Sequence, residues 1–160
     1  MSGEWHPSLT PKRPRLFALT PGGEVVWSLS AGTISATPVV GDGVVFSKTG
    51  LFVEKSHKGG YVKGKFDARI TPHDAREGGL SWLRRLDGFG NWYIQPVLAD
   101  GVLYVPLHDE IRVESRLLAL DAKTGETLWN LALDAPTTHL AVAGNTLYVT
   151  SYDGILHAFE

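Results

Sequence analysis

The stretch Ala119-Leu120-Asp121-Ala122-Lys123-Thr124-Gly125-Glu126-Thr127-Leu128-Trp129 decides the fold. It reads as the end of one strand, a turn on Thr-Gly, and the start of a second strand that carries a Trp. Weaker copies run from Ala18 to Trp27 and from Ala68 to Trp82, and a fourth begins at Ala158-Phe159-Glu160. The first copy has Thr20 where Asp is expected and a turn one residue shorter. The second reads as carrying extra residues between Ala68 and Trp82. A repeated unit too small to bury its own apolar face must stack on its neighbours, so the repeat dictates the architecture.

A hairpin precedes each copy after the first. Thr37-Pro38-Val39-Val40 and Val44-Val45-Phe46 are joined by Gly41-Asp42-Gly43, and Gln95-Pro96-Val97-Leu98 and Val102-Leu103-Tyr104-Val105 by Ala99-Asp100-Gly101. Leu140-Ala141-Val142 and Thr146-Leu147-Tyr148-Val149 repeat the pattern around Ala143-Gly144-Asn145. Gly beside Asp or Asn between apolar runs is a strong hairpin signal. The unit is therefore hairpin, strand, turn, Trp strand: four short antiparallel strands in about 45–55 residues, the size of one propeller blade. No segment has helical periodicity. The chain is expected to be all-β.

Residues 1–14 contain three prolines and no apolar periodicity, and are expected to form a tail ahead of a propeller segment at 15–160. Thr49 to Glu77 is longer than its counterparts and rich in Gly, Lys and His, which predicts an insertion, an extra hairpin or an ordered loop. Insertions in repeat proteins tend to map to one face, often the binding face.

With 43% hydrophobic and 20% charged residues, the 160-residue chain has the composition of a folded protein. It has no cysteine, so disulfides, thiolate nucleophiles and Cys-ligated metals are excluded. Nothing after Met1 resembles a signal peptide, and no run approaches a membrane span. Between Lys48 and Arg85 nine basic residues face four acidic ones, whereas Asp87 to Glu160 holds three basic and ten acidic. This asymmetry reads as an unevenly charged, solvated surface able to orient partners.

The repeat resembles that of the PQQ-like (pyrroloquinoline-quinone-like) β-propellers. That family includes quinoprotein alcohol dehydrogenases and a non-enzymatic lipoprotein of outer-membrane β-barrel assembly. Ala119, Asp121, Thr124, Gly125 and Trp129 match its tryptophan-docking motif, Ala-x-Asp-x-x-Thr-Gly-x-x-x-Trp. The resemblance implies four-stranded antiparallel blades, with Trp27, Trp82 and Trp129 packed between adjacent blades. Three Trp-bearing copies give about three blades, fewer than the ~4–8 of closed propellers. Leu16-Phe17-Ala18-Leu19 and Leu156-His157-Ala158-Phe159 are one strand type at both ends, so a simple exchange of termini leaves one strand over. The expectation is an open arc, or a segment of a larger propeller, with exposed strand edges that recruit partners or further copies of the chain.

The dehydrogenase members imply a central calcium, an Asp base and often a vicinal disulfide; the disulfide is impossible here, and three blades do not enclose an axial cofactor. The aspartates fall in turns or motif positions, where side-chain-to-backbone bonding accounts for them. His108-Asp109-Glu110 reads as a solvated turn, and the remaining histidines lack metal-ligand spacing. No catalytic, cofactor-binding or metal site is expected, and the chain reads as a non-enzymatic scaffold. Candidate partner-binding residues are Trp92 and Tyr93 ahead of the second hairpin, with Lys55, Lys58, Lys63 and Lys65 in the insertion. Protein or peptide partners are expected and nucleic acid is not. The alternative is a fragment of a quinoprotein dehydrogenase. The resemblance favours an extracytoplasmic location.

Overall fold

The computed structural model describes residues 15–30, 33–34, 37–53, 65–86, 94–109 and 114–160. These residues contain β-strands and no helix. In chain order the strands are β1 (Arg15–Leu19), β2 (Val25–Ser30), β3 (Thr33–Ile34), β4 (Val39–Gly41), β5 (Val44–Val53), β6 (Lys65–Asp74) and β7 (Arg84–Arg85). They continue as β8 (Val97–Ala99), β9 (Val102–Asp109), β10 (Glu114–Asp121), β11 (Thr127–Leu133), β12 (Thr137–Ala143), β13 (Thr146–Ser151) and β14 (Leu156–Phe159).

All pairing is antiparallel and local, so each sheet is a meander. The first sheet holds β1 and β2. The second runs β4 (with the short β3), β5, β6, β7, the third β8 to β11, and the fourth β12 to β14. Two full blades are thus flanked by two part-blades among the described residues, in keeping with an arc of about three. The innermost strands pack in sequence, β4 against β8 and β8 against β12.

Period-two alternation puts the core between sheets rather than within them. On β9, Leu103, Val105 and Leu107 face the second sheet, where Phe46, Ala68, Ile70 and Leu86 meet them. Leu118 and Leu120 of β10 join that cluster. Leu117 points the other way and joins Leu147 and Val149 of the fourth sheet. A central blade therefore needs two neighbours, because both of its faces are apolar.

One expectation changes. Lys48, counted above with the solvated basic surface, is 1% exposed. It projects from β5 between the second and third sheets, where its Nζ donates to the Pro106 carbonyl at 3.3 Å. In the stretch Thr49–Glu77 the described residues are the outer part of β5, all of its partner β6, and the turn that follows, in unbroken register from Val44↔Asp74 to Val53↔Lys65; residues 54–64 lie outside the described residues.

The second motif copy is also realigned. Asp74, Gly78 and Trp82 hold the places of Asp121, Gly125 and Trp129 with identical spacing, so no extra residues intervene. Pro72 then replaces Ala119, and Glu77 replaces Thr124. The Pro72 carbonyl accepts from the Ser81 amide on the side facing β7, where proline has no N–H to return the bond. Trp82 accordingly sits ahead of β7, which shrinks to two residues, whereas Trp129 lies within the seven-residue β11.

Candidate functional site

The two Asp-initiated motif turns are built by the same bonds, and the first copy by bonds that each span one residue fewer. The Asp121 amide donates to Glu126 O and the Gly125 amide to Asp121 O, at 2.9 and 2.8 Å. Asp74 and Gly78 repeat them with Gly79 O and Asp74 O. In the shorter first copy the Thr20 amide bonds Glu24 O and the Gly23 amide bonds Thr20 O, both at 2.9 Å. The aspartates bind their own turns: Asp121 Oδ1 accepts from the Lys123 and Thr124 amides and the Thr124 hydroxyl. Those bonds, the Thr124 amide foremost, hold the Asp121 carboxyl below the usual carboxylate range. Asp74 is lowered likewise, chiefly by the Glu77 and then the Arg76 amide.

Each of the two inner turns is covered by the Trp of the preceding blade. Trp27 Nε1 donates to Ala75 O at 3.0 Å, and its ring lies where a Cβ on Gly78 would come within 3.0 Å. Trp82 Nε1 donates to Ala122 O at 3.3 Å, and its ring would meet a Cβ on Gly125 at 2.8 Å. Both glycines have φ near +75°, so the conformation and the indole both call for the missing side chain.

Trp129 is different. Its ring sits 5.8 Å from that of Tyr104 at 48°, close to the 6.3 Å and 54° that relate Trp82 to Phe46, the residue equivalent to Tyr104. The pose is thus the same, but no turn covers it among the described residues and the side chain is 39% exposed. Beside it opens a cavity of about 390 Å³ lined by Tyr104, Trp129, Leu131, Val142, Leu147 and Phe159. At the other end of the chain, nothing described lies within 4 Å of a Cβ built on Gly23. By the order of the copies, the turn set against Trp129 is that of the fourth, of which Ala158-Phe159-Glu160 is the beginning.

A smaller cleft of about 220 Å³ lies at the start of β8 and β12, bounded by Gln95 and His139. Thr37, Gln95 and His139 each stand four residues before the end of an inner strand, and Gln95 Nε2 donates to Thr37 Oγ1 at 2.7 Å. This polar row has no carboxylate, and among the described residues no three His, Asp or Glu side chains gather as a metal set would. The described residues do not fit the oxygen-anion ligands that a calcium-quinone site requires. The His108 ring bonds the Ser115 hydroxyl at 3.1 Å.

Of the expected partner-binding residues, Trp92, Tyr93, Lys55, Lys58 and Lys63 lie outside the described residues; Lys65 begins β6 opposite Val53. None is brought to the Trp129 cavity by a described contact.

The sequence profile of the family described as outer membrane protein assembly factor BamB matches residues 66–160, more than half of the chain. The chain belongs to this family. Its PQQ-like propeller repeats are those expected from the motif. The BamB of Yersinia pestis is 24% identical, with 84% of this chain and 43% of that protein covered. The quinohemoprotein alcohol dehydrogenase ADH IIB of Pseudomonas putida is 29% identical over 66% of this chain and 16% of its own length. Among solved structures, quinohemoprotein alcohol dehydrogenase ADHIIG of Pseudomonas putida HK5 superposes with a TM-score of 0.59 at 15% identity, covering 90% of this chain and 30% of that one. The likeness establishes a propeller fold. The chain spans less than half the length of these curated relatives. No helix among the described residues is long and apolar enough to cross a membrane.

Proposed function

We propose that this member of the family is a non-catalytic scaffold that binds protein or peptide partners through its blade-face loops and open strand edges, in the cell envelope. The observation that carries the reading is the exposed apolar surface of the outermost sheets. Phe17, Leu19, Val25 and Val26 of the first sheet are each at least half exposed, as are Leu156 at the start of β14 and Ile155 just before it. Isolated exposed apolar residues are ordinary, but contiguous ones on an unpaired strand mark an interaction surface. The BamB relative, an assembly factor by name, supports a protein partner. In this reading Trp27, Trp82, Ala119, Asp121, Thr124, Gly125 and Trp129 hold blade to blade. Trp92 and Tyr93 with Lys55, Lys58, Lys63 and Lys65 form a loop face for an outside partner.

Quantitative crosslinking to envelope proteins, with Trp92→Ser/Tyr93→Ser and with Lys55, Lys58 and Lys63 changed to Glu, tests this face. Loss of one defined crosslinked protein in both variants is expected; equal recovery from all three proteins removes the loop face. The second reading, a dehydrogenase fragment, rests on the ADH IIB match. It requires Trp fluorescence to change when calcium and quinone are added, with dye-linked alcohol oxidation.

A further inference from the structure

We infer that the inner edge of β12 takes an extended, uncharged peptide segment as an added strand, with one aliphatic side chain of that segment seated in the cleft between β8 and β12. The inference rests on the open-edge part of the scaffold reading, gives the edge and the chemistry of its partner, and involves none of the loop residues.

β8 and β12 each stand at the end of their sheet, so one side of each backbone has no described strand bonded to it. This edge belongs to the blade itself. In the third sheet the motif strand β11 pairs with β10, at the side away from β8. A motif strand joining the fourth sheet would likewise pair with β14 and leave the inner edge of β12 as it is.

Proline separates the inner strands. Pro38 and Pro96 stand just ahead of β4 and β8, which are three residues long. In the third hairpin Leu140 holds the place of Pro96, and β12 runs for seven residues, Thr137–Ala143. Proline has no N–H and blunts an edge against pairing. β12 lacks that guard. The two-residue turn Gly144-Asn145 makes Ala143 and Thr146 a mutually hydrogen-bonded pair, and the register is regular from there back to His139. Alternation along an antiparallel ladder then turns the N–H and C=O of Leu140 and Val142 away from β13, to the open side. The irregularity between Thr137 and His139 ends this stretch.

The cleft supplies the specificity that a bare edge lacks. Side chains directly across a strand pair lie on one face, so the peptide residue opposite Leu140 points where Leu140 points. That is into the cleft of about 220 Å³ lined by Ile94, Gln95, Val97, Thr138, His139 and Leu140. None of these is a carboxylate, lysine or arginine, so a charged side chain would lose water there without an opposite charge. The volume lies below the ~300–1,000 Å³ of sites for drug-sized molecules and suits a single side chain. The bond from Gln95 Nε2 to Thr37 Oγ1 holds one wall in place. Backbone pairing with a pocket for one side chain is how strand addition recognises a peptide.

The probe is a capped peptide, Thr-Val-Thr-Leu-Thr-Val-Thr with a lysine at each end for solubility. It is titrated into the full chain to millimolar concentration and followed by amide hydrogen exchange. Without peptide, the Leu140 and Val142 amides should exchange fast and those of Ala141 and Ala143 slowly. Peptide should protect Leu140 and Val142. Methylating one alternate set of its backbone nitrogens should weaken binding about tenfold or more, and methylating the other set should change it little. Replacing its central Leu by Glu should weaken binding to a similar extent. Leu140→Pro copies the guard ahead of β8 and should abolish the protection at Val142; the altered peptides decide the matter if that variant does not fold. Slow exchange at Leu140 and Val142 before peptide is added, no saturable binding, or equal binding of all the peptides would each overturn the inference. So would protection that grows with protein concentration alone, which would mean that a second copy takes the edge. Loop-face crosslinking retained in Leu140→Pro keeps failure at this edge separate from failure of the scaffold reading.

Discussion

Trp82 lies so close over Gly125 that a single methyl group added to the glycine would sit 2.8 Å from the ring. Gly101 provides the control: its φ is +74° against +75°, yet nothing lies within 4 Å of its Cβ position. Gly101→Ala should therefore cost only the left-handed strain, about 1–2 kcal/mol. Gly125→Ala should cost that strain and the displaced indole as well, at least about 1 kcal/mol more. Urea midpoints of the two variants check the difference; equal midpoints would mean that the ring yields freely.

Removing the rings tests the same contacts from the other side. Trp82 joins the larger apolar cluster and donates to Ala122 O, so Trp82→Ala should destabilise by roughly 3 kcal/mol. Trp27→Ala should follow, with loss of the Ala75 contact. Trp129→Ala should cost much less, because its ring is 39% exposed and packs on Tyr104 with no turn across it among the described residues. Thermal unfolding of the three variants ranks them, and a Trp129→Ala as damaging as Trp82→Ala would show that exposure of the ring does not set its contribution.

The acidic limb follows from the motif aspartates. Hydrogen bonds from the Thr124 amide and hydroxyl depress the Asp121 carboxyl, and the Glu77 and Arg76 amides depress that of Asp74. A lowered folded value means that the stability these groups contribute is fully present above the unfolded carboxylate range, near 4, and is lost as pH falls through the folded value. Asp121→Asn should lower the melting temperature at neutral pH and flatten its decline below about pH 4. A variant that melts with the native slope throughout that range would show that the turn bonds are not pH-linked.

The third motif copy was fully legible because all five of its defining residues are present, and it alone gave an all-β chain of stacked blades. The second was misread by anchoring on Ala68, four residues too early. The aspartate and glycine fix the turn, and the position of Ala119 tolerates even Pro72. Spacing from Asp to Gly to Trp, four and four in both copies, held the correct signal. Lys48 was not legible, since a lysine within Phe46-Ser47-Lys48-Thr49 alternates like any half-solvated strand residue. Its burial depends on the face of another blade, about which local sequence is silent.

Buried Lys48 makes the last prediction, on the alkaline limb. Desolvation lowers its ammonium from 10.5 to about 8, while its Nζ still donates to the Pro106 carbonyl. A depressed folded value means that the unfolded chain binds the extra proton between these two values, so stability rises as pH climbs from about 8 toward 10.5 and is lost again as pH falls. A Lys48→Met variant keeps the length of the side chain and nothing to desolvate. It forgoes the polar contacts of the ammonium, the bond to Pro106 among them, and relieves a burial penalty on the order of 3 kcal/mol at neutral pH. The stability of the variant relative to the native chain should therefore be greatest near pH 7 and fall as pH rises toward about 10. Chemical denaturation of both proteins across that range separates this from the titration of exposed lysines and tyrosines, which they share. A gap that is constant with pH would mean that the ammonium is held between these blades at no electrostatic cost.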